Sequence, residues 1–261
     1  MRSIVTGGAG FIGSHLVDYL VGAGDDVIVI DSLISGDLNS IKNHLDEKRV
    51  TLVSADLLSD SWQEYLSGAD RVYHLAADPD VRESSVAPEK QLNNTIIATH
   101  RVLEAMRKAC VPEIVFTSTS TVYGEASVIP TPESYTPMEP VSVYGASKLA
   151  CEALISAYSH SFSMRSWIFR FANIIGARSG HGVITDFIRK LKENPHELEI
   201  LGDGNQTKSY LEVRECIRAI MYVVSHTRDP VNTYNIGSED WISVTEIADI
   251  LCSEMGLSPQ Y

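Results

Sequence analysis

The stretch Ser3-Ile4-Val5-Thr6-Gly7-Gly8-Ala9-Gly10-Phe11-Ile12-Gly13-Ser14-His15-Leu16 decides the fold. Residues 3–6 are short, apolar and β-branched, the pattern of a strand. Residues 11–21 carry Phe11, Ile12, Leu16 and Leu20 at helical spacing. Between strand and helix, Gly7, Gly10 and Gly13 stand three apart, and Gly8, Gly10 and Gly13 also fit G-x-G-x-x-G. The physics is the same for both spacings. Glycine allows a tight turn, lets a pyrophosphate come against the backbone, and lets helix and strand pack closely. The helix N-terminus then offers free N–H groups and a partial positive charge to an anion. A strand–turn–helix of this kind expects a carboxylate about 20 residues on, at the end of the second strand. Asp31 stands there, 18 residues after Gly13, following the run DVIVI at 26–30. A carboxylate at that point accepts from both hydroxyls of an adenosine ribose and repels a 2′-phosphate, which favours NAD over NADP.

Further along, short apolar runs alternate with helical patterns. Strands are predicted at 50–53, 71–75 (RVYHL), 113–117 (EIVFT) and 166–171 (SWIFRF), and helices at 91–109 and 144–158. Strand, helix, strand in this order gives right-handed crossovers and a doubly wound parallel α/β sheet of the Rossmann type. Its ligands bind beyond the carboxyl ends of the strands. After Asn173 the pattern changes. A helix is predicted at 184–192, strands at 198–204 and 210–213 about Gly202-Asp203-Gly204, a helix at 215–224, a strand at 233–236, and a helix at 244–255 closed by Gly256. This divides the chain into a dinucleotide-binding domain, 1–172, and a smaller substrate domain, 173–261, some of whose elements return to the large sheet.

The composition bounds the chemistry. The 261 residues are 44% hydrophobic and 21% charged, enough to bury a core without disulfides or metals. Lys plus Arg is 21 against 34 Asp plus Glu, a net charge of −13. A phosphate backbone is repelled by such a surface, so nucleic acid is not expected as a partner. A small anion can still bind where the local field is positive. No apolar run approaches the roughly 18 residues that read as a membrane span, so no membrane partner is expected. Met1 leads at once into the first strand, so no signal peptide is expected. Cys110, Cys151, Cys216 and Cys252 show no metal-ligand spacing. They read as reduced thiols of a cytoplasmic protein, with no metal site.

Tyr144-Gly145-Ala146-Ser147-Lys148 puts a phenol and an ammonium four apart on one helix face. The preceding strand ends in Phe116-Thr117-Ser118-Thr119-Ser120-Thr121-Val122-Tyr123-Gly124, a row of hydroxyls. With TGGAGFIGSHL, DVIVID, Ala55-Asp56-Leu57, His74-Leu75-Ala76-Ala77, Asn93-Asn94 and Arg170-Phe171-Ala172-Asn173, these stretches resemble the extended short-chain dehydrogenases/reductases of the nucleotide-sugar epimerase and dehydratase kind. Within that family the likeness is to 4-epimerases acting on UDP-glucose and UDP-galactose. The quoted matches run from the N-terminus to Asn173, and a weaker likeness continues to about residue 255.

The resemblance implies NAD as cofactor, a UDP-hexose type of nucleotide sugar as substrate, epimerisation at C4, and a homodimer through the helices at 91–109 and 144–158. It makes Tyr144 the catalytic acid and base. A free phenol, at a pKa of about 10, is a poor base at neutral pH. Lys148⁺ and the positive nicotinamide are the charges that favour its phenolate. Lys148 also bonds the nicotinamide ribose. Thr119 bonds the reacting hydroxyl, with Ser118 the neighbouring alternative and a strand-end backbone cap the structural one. The cofactor residues implied are Gly7, Gly10, Phe11, Ile12 and Gly13 at the turn, and Asp31 with Ser32 at the ribose. Asp56 and Leu57 lie along the adenine; Leu75, Ala76 and Ala77 line the phosphate side. Asn94, Ser118, Tyr144 and Lys148 approach the nicotinamide end. His74 is expected to pack rather than catalyse. For the substrate the resemblance implies Arg82, Ser84, Thr119, Asn173, Lys208 and Arg214. Many members carry Arg where Lys208 stands, so the bidentate fork is lost.

Two departures matter. The family's 4,6-dehydratases carry Asp-Glu directly after the catalytic Thr. Here those positions are Ser120 and Thr121, which cannot supply acid and base for water elimination. Members usually run several tens of residues beyond the point where this sequence ends, at Tyr261, which leaves the cofactor site whole but not all of the sugar pocket. The rivals to a 4-epimerase are other enzymes on the same scaffold (reductase, decarboxylase, dehydratase, epimerase at another carbon) and a non-catalytic NAD-sensing protein. Retention of Tyr144, Lys148 and Thr119 argues against the last.

Overall fold

Seven parallel strands form the main sheet in the computed structural model of the protein, which describes residues 1–78 and 83–261. Along the chain the elements are β1 (Arg2–Thr6), α1 (Phe11–Gly22), β2 (Asp26–Asp31), α2 (Lys42–Asp46), β3 (Val50–Ser54) and β4 (Arg71–His74). The short helices α3 (Glu83–Val86) and α4 (Pro88–Gln91) follow, and a π-helical turn, Leu92–Ile97, runs into α5 (Ala98–Ala109). Then come β5 (Glu113–Thr119), α6 (Val143–Phe162) and β6 (Arg165–Phe171). The rest comprises β7 (Asn173–Ile175), α7 (Val183–Glu193), β8 (Thr207–Lys208), β9 (Tyr210–Glu212), α8 (Val213–His226), β10 (Val231–Ile236), β11 (Ile242–Ser243) and α9 (Val244–Met255).

The sheet order is β10-β6-β5-β4-β1-β2-β3. In β1, β2, β5 and β6 nearly every residue is buried, as a sheet covered on both faces requires. The register aligns the strand ends: Thr6 lies opposite both Ile30 and His74, and His74 opposite Phe116. The strand order reverses between β1 and β4, the switch point at which such sheets bind ligands. On one face Val102, Leu103, Met106 and Ile155, from α5 and α6, pack on Ile114 and Phe116. Ser142 starts α6 by accepting a hydrogen bond from the Gly145 amide, 3.0 Å. That cap fixes the first turn, where Tyr144 stands.

The chain divides into two compact units, Met1–Phe171 with Ile217–Ile236, and Ala172–Cys216 with Gly237–Tyr261. Residues 217–236 lie in the first unit, where β10 extends the main sheet beside β6. In the second unit β7 pairs with β9 in parallel and β8 with β11 antiparallel. Phe187 and Leu191 of α7 and Ile247, Ala248 and Cys252 of α9 close a small core around Leu198. The strand expected at 198–204 does not form. Leu198 is fully buried as a core plug between α7 and α9, while Gly202 and Gly204, at the expected turn, take left-handed backbone, φ 85° and 73°. Among the described residues no helix is long and apolar enough to cross a membrane, and no three His, Cys, Asp or Glu side chains are grouped as a metal site needs.

Candidate active site

The glycine turn closes on the end of β4. Gly7 has φ +71°, and its amide donates to the Ile30 carbonyl at 2.9 Å. A Cβ on Gly7 would come within 2.8 Å of the Ala76 nitrogen, and one on Gly13 would press into the Gly7 carbonyl oxygen. Backbone therefore lies against backbone, with no room for side chains. Helix α1 starts at Gly10 with no side-chain cap and no acidic residue in its first turn. Its leading N–H groups remain for an outside acceptor. Asp31 is 8% exposed; one carboxylate oxygen accepts from the Ala9 amide at 2.9 Å and the other from Leu33 at 2.8 Å. Each oxygen has a second lone pair, enough for the two ribose hydroxyls. A bare cradle at a helix N-terminus beside a braced carboxylate fits a dinucleotide.

The flanking positions are arranged along the same edge. Phe11, Ile12, Leu75, Ala76 and Ala77 are half-buried and Ser32 is exposed. Asp56 is exposed, one oxygen accepting from the Leu58 amide at 2.8 Å. Leu57 is buried in the core, and its carbonyl accepts from Trp62 Nε1 at 3.3 Å. Asn94 is half-buried within the π-helical turn.

His74 is fully buried and joins three elements. Thr99 Oγ1 donates to the Thr95 carbonyl at 2.7 Å, so it accepts from His74 Nε2 at 3.0 Å. His74 Nδ1 then accepts from Thr6 Oγ1 at 2.7 Å, and Thr6 Oγ1 accepts from the Ala76 amide at 3.3 Å. Burial, with the Lys148 charge nearby, brings the His74 pKa down to about 3. A neutral imidazole held on both nitrogens packs and orients Ala76 beside Gly7; it is no acid or base.

At the end of β5, the Tyr144 phenol lies beside the Thr119 side chain. Thr119 Oγ1 accepts from the Thr121 amide at 3.2 Å, so the hydroxyl caps the strand end. Lys148 is buried. Its Nζ donates to the Thr117 carbonyl at 2.8 Å and sits 4.7 Å from the centroid of the Phe116 ring. Burial lowers the Lys148 pKa to about 8, against the opposing pull of Cys151 and Glu152. The phenol of Tyr144 is not lowered by these neighbours. Burial pushes it above the usual tyrosine value, and the neighbouring Thr119 side chain opposes that only in part.

Ser118 faces a different partner. Its hydroxyl donates to Glu152 Oε1 at 2.5 Å, and Glu152 forms a buried ion pair with Arg170, 2.7 Å from Nη2 to Oε2. Sequence reasoning did not single out this pair. The signal was present: Arg170 is a charge inside the apolar run SWIFRF, and a buried charge needs a partner.

The substrate candidates are more dispersed. Arg82 lies outside the described residues. Ser84 is fully buried in α3, where an open loop was expected, because α3 packs against α6. In the second unit, Asn173 begins β7 and its Nδ2 donates to the Ser209 carbonyl at 3.0 Å. Lys208 is exposed in β8, and Arg214 is exposed at the start of α8.

A nucleotide cradle, a Tyr–Lys helix and a hydroxyl at the next strand end define a class of NAD-dependent sugar-nucleotide enzymes. The chain belongs to the NAD dependent epimerase/dehydratase family, whose model matches residues 3–237. A putative UDP-glucose 4-epimerase of Methanocaldococcus jannaschii is 36% identical over 260 residues, covering 97% of this chain and 82% of that protein. A crystal structure of a UDP-galactose 4-epimerase superposes with a TM-score of 0.91 at 44% identity, over 100% of this chain and 85% of that one. The UDP-glucuronic acid 4-epimerase from Bacillus cereus, solved with UDP-glucuronic acid and NAD, gives 0.89 at 31% identity, over 100% and 85%. NAD is the cofactor of this chain too.

Proposed function

We propose that the protein inverts C4 of a UDP-hexose through a transient 4-keto sugar. The observation that carries this is the start of α6 set against the end of β5, with Lys148 Nζ on the Thr117 carbonyl at 2.8 Å and the Tyr144 phenol beside Thr119, followed by Ser120 and Thr121 rather than acids. Bound NAD takes the hydride from C4 and gives it back. Tyr144 removes the proton of the 4-hydroxyl and later returns one to the same oxygen. Thr119 holds that oxygen during both transfers. Lys148 keeps a positive charge beneath the phenol and turns a further N–H towards the cofactor ribose. The turn at Gly7, Gly10 and Gly13 with the start of α1 holds the pyrophosphate, and Asp31 the adenosine ribose. We assign Asn173, Lys208 and Arg214 to the substrate diphosphate, and Arg82 with Ser84 to the sugar side. A homodimer through α5 and α6 belongs to the same proposal.

A panel of UDP-glucose, UDP-galactose and UDP-glucuronic acid, followed by proton NMR with NAD present, tests it. Inversion at C4 of UDP-glucose or UDP-galactose is expected. The similarity to the Bacillus cereus enzyme makes UDP-glucuronic acid the second candidate. Loss of CO₂, loss of water, or no change in any sugar overturns the proposal.

A further inference from the structure

Tyr144, Lys148 and Glu152 follow at four-residue steps of α6 and descend one side of it. Each grips a different atom at the end of β5. Tyr144 meets the Thr119 hydroxyl, Lys148 Nζ the Thr117 carbonyl at 2.8 Å, and Glu152 Oε1 the Ser118 hydroxyl at 2.5 Å. Glu152 is 6% exposed and is held in turn by Arg170, whose Nη2 reaches Oε2 at 2.7 Å and whose Nε reaches both oxygens at 3.1 and 3.2 Å. Arg170 is itself fixed, Nη1 donating to the Tyr123 hydroxyl at 2.9 Å and the Glu133 carbonyl at 3.1 Å. Tyr123 donates on to Asn235 Oδ1 of β10 at 2.7 Å. The pair is thus tied to three strands of the sheet and to the loop before α6.

The three grips differ in what turnover asks of them. Tyr144 and Thr119 turn to a sugar hydroxyl, and Lys148 serves a cofactor. Glu152 touches neither, so its hold on β5 persists throughout. We propose that Glu152, clamped by Arg170, is a positioning residue that keeps Tyr144 and Lys148 in register with the strand end Thr117–Thr119 while their own contacts are exchanged. The inference rests on the acid–base role proposed for Tyr144.

The pair also sets the local charge. Lys148 is faced by His74 from β4, neutral near pH 7, by the Phe116 ring and Thr117 carbonyl from β5, and by Cys151 and Glu152 from its own helix. The charge of Arg170 on β6 is balanced by Glu152. Glu152→Gln keeps the shape and leaves Arg170⁺ unbalanced, so Lys148 and Tyr144 both lose their protons at lower pH.

In the NAD-loaded protein, Glu152→Gln is expected to lower kcat about ten- to a hundredfold, the scale of a small misplacement of reacting groups, with KM little changed. Both limbs of the pH–rate profile move to lower pH, by about half a unit or more. Ser118→Ala cuts one grip and leaves the ion pair, so kcat falls less and the limbs stay in place. The phenolate absorption of Tyr144, titrated as the difference from Tyr144→Phe with and without Glu152→Gln, reads the same shift without any substrate. A wild-type protein inactive on every sugar nucleotide defeats the proposed function, while this titration still decides the clamp. Unchanged kcat and unmoved titrations in Glu152→Gln, with only the melting temperature lowered, overturn the inference. If Glu152→Gln does not fold, an unchanged kcat in Ser118→Ala overturns it.

Discussion

Tyr144 is a phenol that burial holds in its neutral form until a positive charge arrives beside it. On the acid–base role proposed for Tyr144, chemistry is linked to cofactor occupancy: a positive nicotinamide beside the phenol favours the phenolate. Tyr144→Phe should lower kcat by about 10²–10⁴, the usual contribution of such a group, while calorimetry finds NAD binding unchanged. Thr119→Val removes one oriented hydrogen bond and should cost about tenfold. A Tyr144→Phe protein of near-normal rate would reduce the residue to a helix-surface tyrosine. Asp31 makes a separate prediction. Its carboxylate is braced by the Ala9 and Leu33 amides and cannot swing away from a 2′-phosphate. NAD should therefore bind more tightly than NADP in calorimetry, and equal affinity would remove Asp31 from the ribose site. These residues were legible because each belongs to a local motif whose spacing carries its geometry. Glu152 and Arg170 were not. They lie 18 residues apart on different elements, and Ser118, the third partner, is 34 residues from Glu152. Such a network exists only once β5, β6 and α6 are stacked.

At the scale of elements, the chain Ala76–Thr6–His74–Thr99 ties β1 and β4 to α5 through one neutral ring. Its cost appears in acid. The unfolded chain protonates His74 near pH 6.5, while the folded protein resists until about 3. Stability from this residue is therefore complete above pH 6.5 and is lost as the pH falls towards 3. Between pH 7 and 4.5, urea unfolding of the wild type should show about 2–3 kcal/mol more loss than His74→Gln. Equal losses would mean that the ring titrates freely. The strands of the main sheet were legible because burial on both faces leaves continuous β-branched runs in the sequence. The helix predicted at 91–109 has a π-helical turn at Leu92–Ile97, within which the Thr95 hydroxyl donates to Gln91 Oε1. Hydrophobic spacing runs through such a turn without announcing it. The pairing of β8 with β11 involves two residues on each strand, too few for any period to register. The strand expected within 198–204 misled because Leu198 and Ile200 serve a helix–helix core rather than a sheet.

For the whole molecule, the decisive property of the proposed reaction is that it is closed: what leaves C4 must return to C4. In the roles proposed for them, Tyr144, Lys148 and Thr119 suffice for a reversible oxidation at one carbon. A dehydratase needs a further acid and base to remove a proton from C5 and a hydroxyl from C6, and Ser120 and Thr121 stand where those groups would be. A reductase needs an outside supply of reduced cofactor for each turnover. The three therefore differ in how they handle solvent hydrogen. In D₂O, with catalytic NAD and a UDP-hexose, NMR should find inversion at C4 with protium retained at every carbon, because only the oxygen-bound proton passes through Tyr144 to solvent. Absorbance at the wavelength of the reduced nicotinamide should show no net change over many turnovers. Deuterium at C5 would place a second base in the pocket and make the enzyme a dehydratase. A stoichiometric demand for reduced cofactor would make it a reductase. Either outcome would leave the sheet, the glycine cradle and the His74 chain intact, since none of them depends on which carbon reacts.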